Sequence, residues 1–155
     1  MKEKAIICVD DEIIVLDSLR EQLQNELGTG YIIETCENGT TAVEILDELI
    51  EEGIDVPVVI ADYIMPEMTG DQVLEHVHKK NKHIRTILLT GQASIQGIEN
   101  AVNKASLYRY MSKPWEKEDL MLTVREAIKS YEADQTIHRQ YNELKELNAN
   151  LEKKS

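Results

Sequence analysis

Basic residues are scarce: 17 lysines and arginines stand against 29 aspartates and glutamates, a formal net charge of −12. A sequence-independent grip on phosphate backbones or on anionic lipid is therefore not expected of this segment. Long apolar runs are also missing. The run from Ala5 to Val9 is too short for a signal-peptide core or a membrane-spanning helix, so the chain reads as cytoplasmic. There are two cysteines, Cys8 and Cys36, each in a predicted strand, where a small buried thiol is expected rather than a disulfide. His76 and His78 lie two apart on a predicted helix and point in different directions, while His83 and His138 are isolated, so no zinc site is expected.

The 155 residues are 42% hydrophobic, enough for one domain with a core plus an extension. Short apolar runs alternate with helical patterns. Strands are predicted near Ala5 to Val9, Tyr31 to Cys36, Val58 to Ala61, Thr86 to Leu89 and Arg109 to Met111, each followed by an amphipathic helix. Five βα units imply a parallel sheet. The first helix is expected to bury Ile13, Leu16, Leu19 or Arg20, Leu23 and Leu27, with Gly28 as its stop. The second is expected to bury Val43, Leu46, Leu49 and Ile50. Pro57 introduces "VVIAD", which is apolar enough for a central parallel strand.

Ligands of open α/β sheets collect beyond the carboxyl ends of the strands, where Asp10, Asp11, Asp62 and Thr90 all fall. Three carboxylates on one rim need an opposing charge, and hard oxygen donors suit Mg²⁺. An Asp-Asp pair alone would be better read as a helix-capping aspartate with two solvated neighbours. Here "VDDE" is followed in order by "ADYIMPEMTG", "LLTGQ" and "YRYMSKPW", each just beyond an apolar strand.

Together these four motifs, over about Lys4 to Ser130, resemble the receiver domain of two-component response regulators. The resemblance implies a five-stranded, doubly wound parallel sheet in the flavodoxin-like order 2-1-3-4-5. It also implies that Asp62 is the phosphoacceptor, and that Asp10, Asp11, Asp62 and the backbone carbonyl of Ile64 hold Mg²⁺. Lys113, before an often cis Pro114, is then the lysine that pairs with the phosphoryl group. Thr90, 28 residues after Asp62, is the switch hydroxyl, and Tyr110 is the aromatic switch. Ile64 and Gln92 flank the phosphoryl group and tune its loss; an isoleucine cannot orient a water, so slow self-dephosphorylation is expected. The implied partner is a sensor histidine kinase or a histidine phosphotransfer protein.

From about Lys117 no glycine or proline interrupts the chain, so the fifth helix is expected to run on toward Leu151. Ile137, Tyr141, Leu144, Asn148 and Leu151 are spaced by 4, 3, 4 and 3 residues, as in a coiled-coil seam. Residues 1–130 are thus read as the receiver and 131–155 as a helical extension that forms a parallel homodimer or links to an output domain. The turn "KPWEKEDL" resembles receivers that feed phosphodiesterase, cyclase or phosphatase modules. No basic recognition helix for nucleic acid is present. A phosphohydrolase of the haloacid dehalogenase type would need a second aspartate where Ile64 stands, so an enzyme is not expected. The remaining alternative is a non-phosphorylated adaptor that assembles through the coiled coil.

Overall fold

A strand buried on both faces must lie at the centre of a sheet, and Asp55–Asp62 (β3) is buried at every position after Asp55. The computed structural model describes residues 3–91, 98–100, 102–103 and 106–154. In it β3 lies between β1 (Lys4–Val9) and β4 (Arg85–Thr90), with β2 (Tyr31–Cys36) outside β1 and β5 (Arg109–Ser112) outside β4. All four pairings are parallel, giving the order 2-1-3-4-5. The strands therefore end together at one rim.

Helices cover both faces. Leu16, Leu19 and Leu23 of α1 (Ile13–Leu27) and Leu120, Val124 and Ala127 of the long C-terminal helix (Lys117–Lys154) pack on one side with Ile6, Cys8, Val58 and Ile60. Ala42, Leu46 and Leu49 of α2 (Gly39–Glu51) and Val73, Leu74 and Val77 of α3 (Gly70–Lys80) pack on the other with Ile7, Val9 and Val59. The period of two along each strand divides its side chains between these layers. Cys8 and Cys36 accordingly fall in opposite layers, both buried and free. Burial raises both thiols, Cys36 to about 12, so neither is a reactive group. No helix among the described residues is long and apolar enough to cross a membrane.

Three local expectations are corrected. Ile13 is 59% exposed, because the first turn of α1 projects beyond the rim of the sheet toward solvent. On α2 the buried stripe runs through Ala42 rather than Val43, which is half-buried, and Ile50 is exposed. A single small residue shifts the contact line by one position. Pro57 does not introduce β3 but lies within it; a register shift between Lys4 and Ile6 of β1 opens the ladder beside the residue that cannot donate.

The C-terminal helix is continuous over 38 residues. It leaves the domain through a polar clasp. Arg85, at the start of β4, donates from Nε and Nη2 to Ser130 Oγ at 3.1 and 2.9 Å, reaches the Ser130 carbonyl at 3.3 Å, and pairs with Asp134. The Arg85 hydrogen bond holds the Asp134 carboxyl below its usual range. Tyr131 donates to Asp55 at 3.2 Å, and Lys4 bonds Glu132 at the same distance. Past this clasp the apolar side chains Ile137, Tyr141, Leu144 and Leu151 are all exposed. Arg85→Ala should lower stability by about 1–3 kcal/mol, since several charge-assisted bonds are lost together. It should also speed amide exchange selectively at 130–136; uniform protection in that segment would contradict the clasp.

Candidate functional site

The rim is built by backbone before any side chain acts. At the end of β1 the Asp10 amide donates to the Cys36 carbonyl at 3.1 Å, and the Asp10 carboxylate accepts from the Glu12 amide at 2.8 Å. This carboxylate is fully buried, whereas Asp11 beside it is exposed. Asp62 ends β3 and is 4% exposed. The next amide, Tyr63, donates to Leu89, and the Gly70 amide returns to the Tyr63 carbonyl, both at 2.9 Å. The loop after Asp62 is therefore folded tightly against the strand ends.

Gly70 is a site residue that the sequence reading did not single out. A Cβ there would lie 2.2 Å from the Asp62 carbonyl oxygen, so only glycine lets α3 begin this close to the acidic residue. The surrounding "MTGDQ" marks only the start of the helix, where Gln72 Oε1 accepts from the Thr69 amide at 3.0 Å and closes the first turn.

Carboxylate oxygens of Asp10, Asp11 and Asp62 lie within 4.8 Å of one another. Lys113 reaches into this group from the end of β5, 2.6 Å from Asp10 Oδ2 and 3.2 Å from Asp62 Oδ1. Its own amide donates to the Thr90 carbonyl at 2.8 Å, which ties the ends of β4 and β5 together. The Lys113–Pro114 bond is cis. Burial, then the Asp10 charge, raises the Asp62 carboxyl to about 6, and Lys113 only partly offsets them. Burial of Lys113 works against its charge, but its hydrogen bond to Asp10 and the charges of Asp10 and Asp62 carry its pKa upward. Among the described residues, one ammonium thus faces three carboxylates. The set is all oxygen, closely spaced and short of positive charge, so the residues fit a hard divalent cation such as Mg²⁺.

Thr90 is 3% exposed at the end of β4, beside the cluster. Tyr110 is 55% exposed on β5, and Ile64 stands exposed on the loop after Asp62. Gln92 lies outside the described residues. Next to Lys113 an open groove of about 420 Å³ is walled by Ile14, Val15, Gln22, Pro114 and Trp115. Trp115 Nε1 donates to Gln22 Oε1 at 3.0 Å, fixing the loop after β5 on α1. Ile14 above it is 83% exposed.

Residues 6–125 match the family described as the response regulator receiver domain. Over 138 residues the chain is 29% identical to the hydrogenase transcriptional regulatory protein HoxA of Cupriavidus necator, covering 89% of this chain and 27% of that protein. Among solved structures, the signal receiver domain of an HD domain-containing protein from Pseudomonas fluorescens Pf-5 is similar at 28% identity and a TM-score of 0.75. That match covers 85% of this chain and 99% of the other. A structure described as adenylate cyclase from Rhodopirellula baltica is similar at 25% identity and a TM-score of 0.75, covering 92% and 98%. The chain thus spans about a quarter of the HoxA length.

The crowding of charge predicts a stability effect. The folded pKa of Asp62, about 6, lies above the unfolded value, so its contribution is complete below about pH 4 and lost as pH rises through 6. In chelator at pH 7, Asp62→Asn should be more stable than the wild type by on the order of 1–2 kcal/mol in urea unfolding, with the gap closing below pH 4. A variant that is less stable at pH 7 would contradict this.

Proposed function

Because the chain belongs to the response regulator receiver domain family, we propose that it accepts a phosphoryl group on Asp62 from the phosphohistidine of a sensor histidine kinase or histidine phosphotransfer protein. Receiver domains are phosphorylated by histidine kinases, and the family is a signalling one rather than one of classical enzymes. The single observation that carries the reading is Lys113 poised within 3.2 Å of an Asp62 whose carboxyl is raised by burial and by the charge of Asp10.

In this reading an Asp62 oxygen attacks the phosphorus of the donor. The new P–O bond forms as the P–N bond breaks, and the electron pair returns to the donor imidazole. At pH 7 a carboxyl with a pKa of about 6 is ionised in most molecules, so the nucleophile is available. Asp10, Asp11, Asp62 and the Ile64 carbonyl would hold Mg²⁺. When bound, the ion lowers the repulsion between the carboxylate and the anionic donor. Lys113 turns on its flexible stem from the carboxylates to a phosphoryl oxygen as a point charge. Thr90 donates its hydroxyl to another, and the exposed Tyr110 ring is the group that responds to that movement. The apolar ledge of Ile14, Pro114 and Trp115 beside Lys113 seats the donor, and an exposed Ile64 with no hydrogen-bonding group leaves the acyl phosphate slow to hydrolyse.

The output passes through the long helix. In the proposed division residues 1–130 receive the signal and 131–155 form a parallel homodimer through Ile137, Tyr141, Leu144, Asn148 and Leu151. The exposure of the four apolar members of that stripe supports this, as does a helix that runs about 30 Å beyond the clasp with these side chains open to solvent. The likeness to the signal receiver domain of an HD domain-containing protein and to a structure described as an adenylate cyclase supports control of a further module.

Acetyl phosphate with Mg²⁺ should place an acyl phosphate on Asp62, found by borohydride trapping and peptide mass spectrometry. Chelator or Asp62→Asn should abolish it. Undiminished labelling of Asp62→Asn would refute the assignment, and no labelling of the wild type under any donor would favour an unphosphorylated adaptor.

A further inference from the structure

Leu147 lies off the 4-3-4-3 stripe, yet it is 55% exposed, as open to solvent as Leu144 at 56%. It belongs to a second stripe. Ile137, Leu144 and Leu151 recur every seven residues, and they can serve as d positions with Tyr141 and Asn148 at a, or as a positions with Gln140 and Leu147 at d. Each alternative contributes one large and one polar side chain to its variable layers: tyrosine and asparagine in the first, leucine and glutamine in the second. Neither register is favoured by composition alone. Going from one to the other turns the helix by about 50°, the angle between a and d in a heptad.

We infer that the proposed homodimer has two competing seams of similar strength, sharing Ile137, Leu144 and Leu151, and that phosphorylation changes the balance between them. This rests on the dimeric reading above. The occupant is a second copy of this chain, for two reasons. Residues 135–154 carry Arg139, Lys145, Lys153 and Lys154 against Glu143, Glu146 and Glu152, a net of +1 in a chain of net −12, so two copies of the helix meet without the repulsion of two acidic domains. The apolar stripe is also continuous with a helix whose upstream half is fixed in the domain.

The route to the seam is short. β4 ends at Thr90 beside the acidic cluster and starts at Arg85, whose side chain grips the helix at Ser130 and Asp134. A strand of this length spans about 17–20 Å, and a displacement of its end at the site is delivered to the last turn before the seam. The clasp ends three residues before Ile137, so it sets the phase with which the helix enters the dimer.

Disulfide trapping distinguishes the two seams, because only residues at a or d bring their Cα atoms within bridging distance of the partner copy. Leu144→Cys, Leu147→Cys and Asn148→Cys are oxidised separately with copper phenanthroline, in the full chain, with and without beryllofluoride and Mg²⁺. The buried native thiols do not compete. Leu144→Cys should cross-link in both states, and the ratio of trapping at 147 to that at 148 should change at least threefold on adding beryllofluoride. A Leu144→Cys dimer in which only one of 147 and 148 ever traps, or in which their ratio stays constant, overturns the two-seam inference while keeping the dimer. No trapping at 144 overturns the dimer itself and this inference with it, leaving the phosphoacceptor reading untouched.

Discussion

Among the described residues, three carboxylates gather at the carboxyl rim of the sheet against the ammonium of Lys113, and much of the chain's local geometry serves that imbalance. Asp10 is held by two backbone contacts before it meets any cation, and Asp62 stands at the end of the most deeply buried strand. Burial removes the water that would otherwise screen these charges, so the Asp62 carboxyl rises instead of settling as an ordinary surface acid. A fold optimised only for stability would not keep such a group. Proteins tolerate it where the strain is part of the function, and in the proposed phosphotransfer the surplus negative charge is what draws in a divalent cation.

The opposite end of the sheet solves a different problem. A helix of 38 residues cannot be anchored by its first turns alone, so the domain grips it again at Ser130, Tyr131, Glu132 and Asp134, using Arg85, Asp55 and Lys4. These partners come from the starts of β4, β3 and β1. The same strands therefore present acids or the buried hydroxyl at one end and hold the long C-terminal helix at the other. Such a connection becomes a signalling path only if the strands or the helix have two arrangements, and the doubled stripe beyond the clasp is where a second arrangement is available.

The acidic rim was legible because it depends on local pattern, apolar runs of the right length each followed by a polar or acidic residue, and the strand order followed from the resemblance that the four motifs carry. Asp10, Asp11, Asp62 and Lys113 meet as the motifs imply, with Thr90 buried at the neighbouring strand end. What the sequence concealed depends on distances between elements. The need for glycine at position 70 comes from the carbonyl of Asp62, eight residues away, and no periodicity reveals it. Ile13 and Ile50 kept a helical spacing but are 59% and 40% exposed, because periodicity does not say how far the neighbouring elements reach along a helix. Arg85 reads as the polar first residue of a strand, and its grip on a helix 45 residues later is visible only in three dimensions.

If the rim is short of positive charge, Lys113 and a divalent cation compete for the same oxygens of Asp10 and Asp62. Calorimetric titration of Mg²⁺ into the wild type and Lys113→Ala tests this directly. The account predicts that the variant binds Mg²⁺ more tightly, by several-fold, because a competing cation has been removed from two of the oxygens the metal would use. Equal or weaker binding by Lys113→Ala would show that the lysine organises the carboxylates rather than compensating them, and would contradict the charge imbalance as the basis of the site.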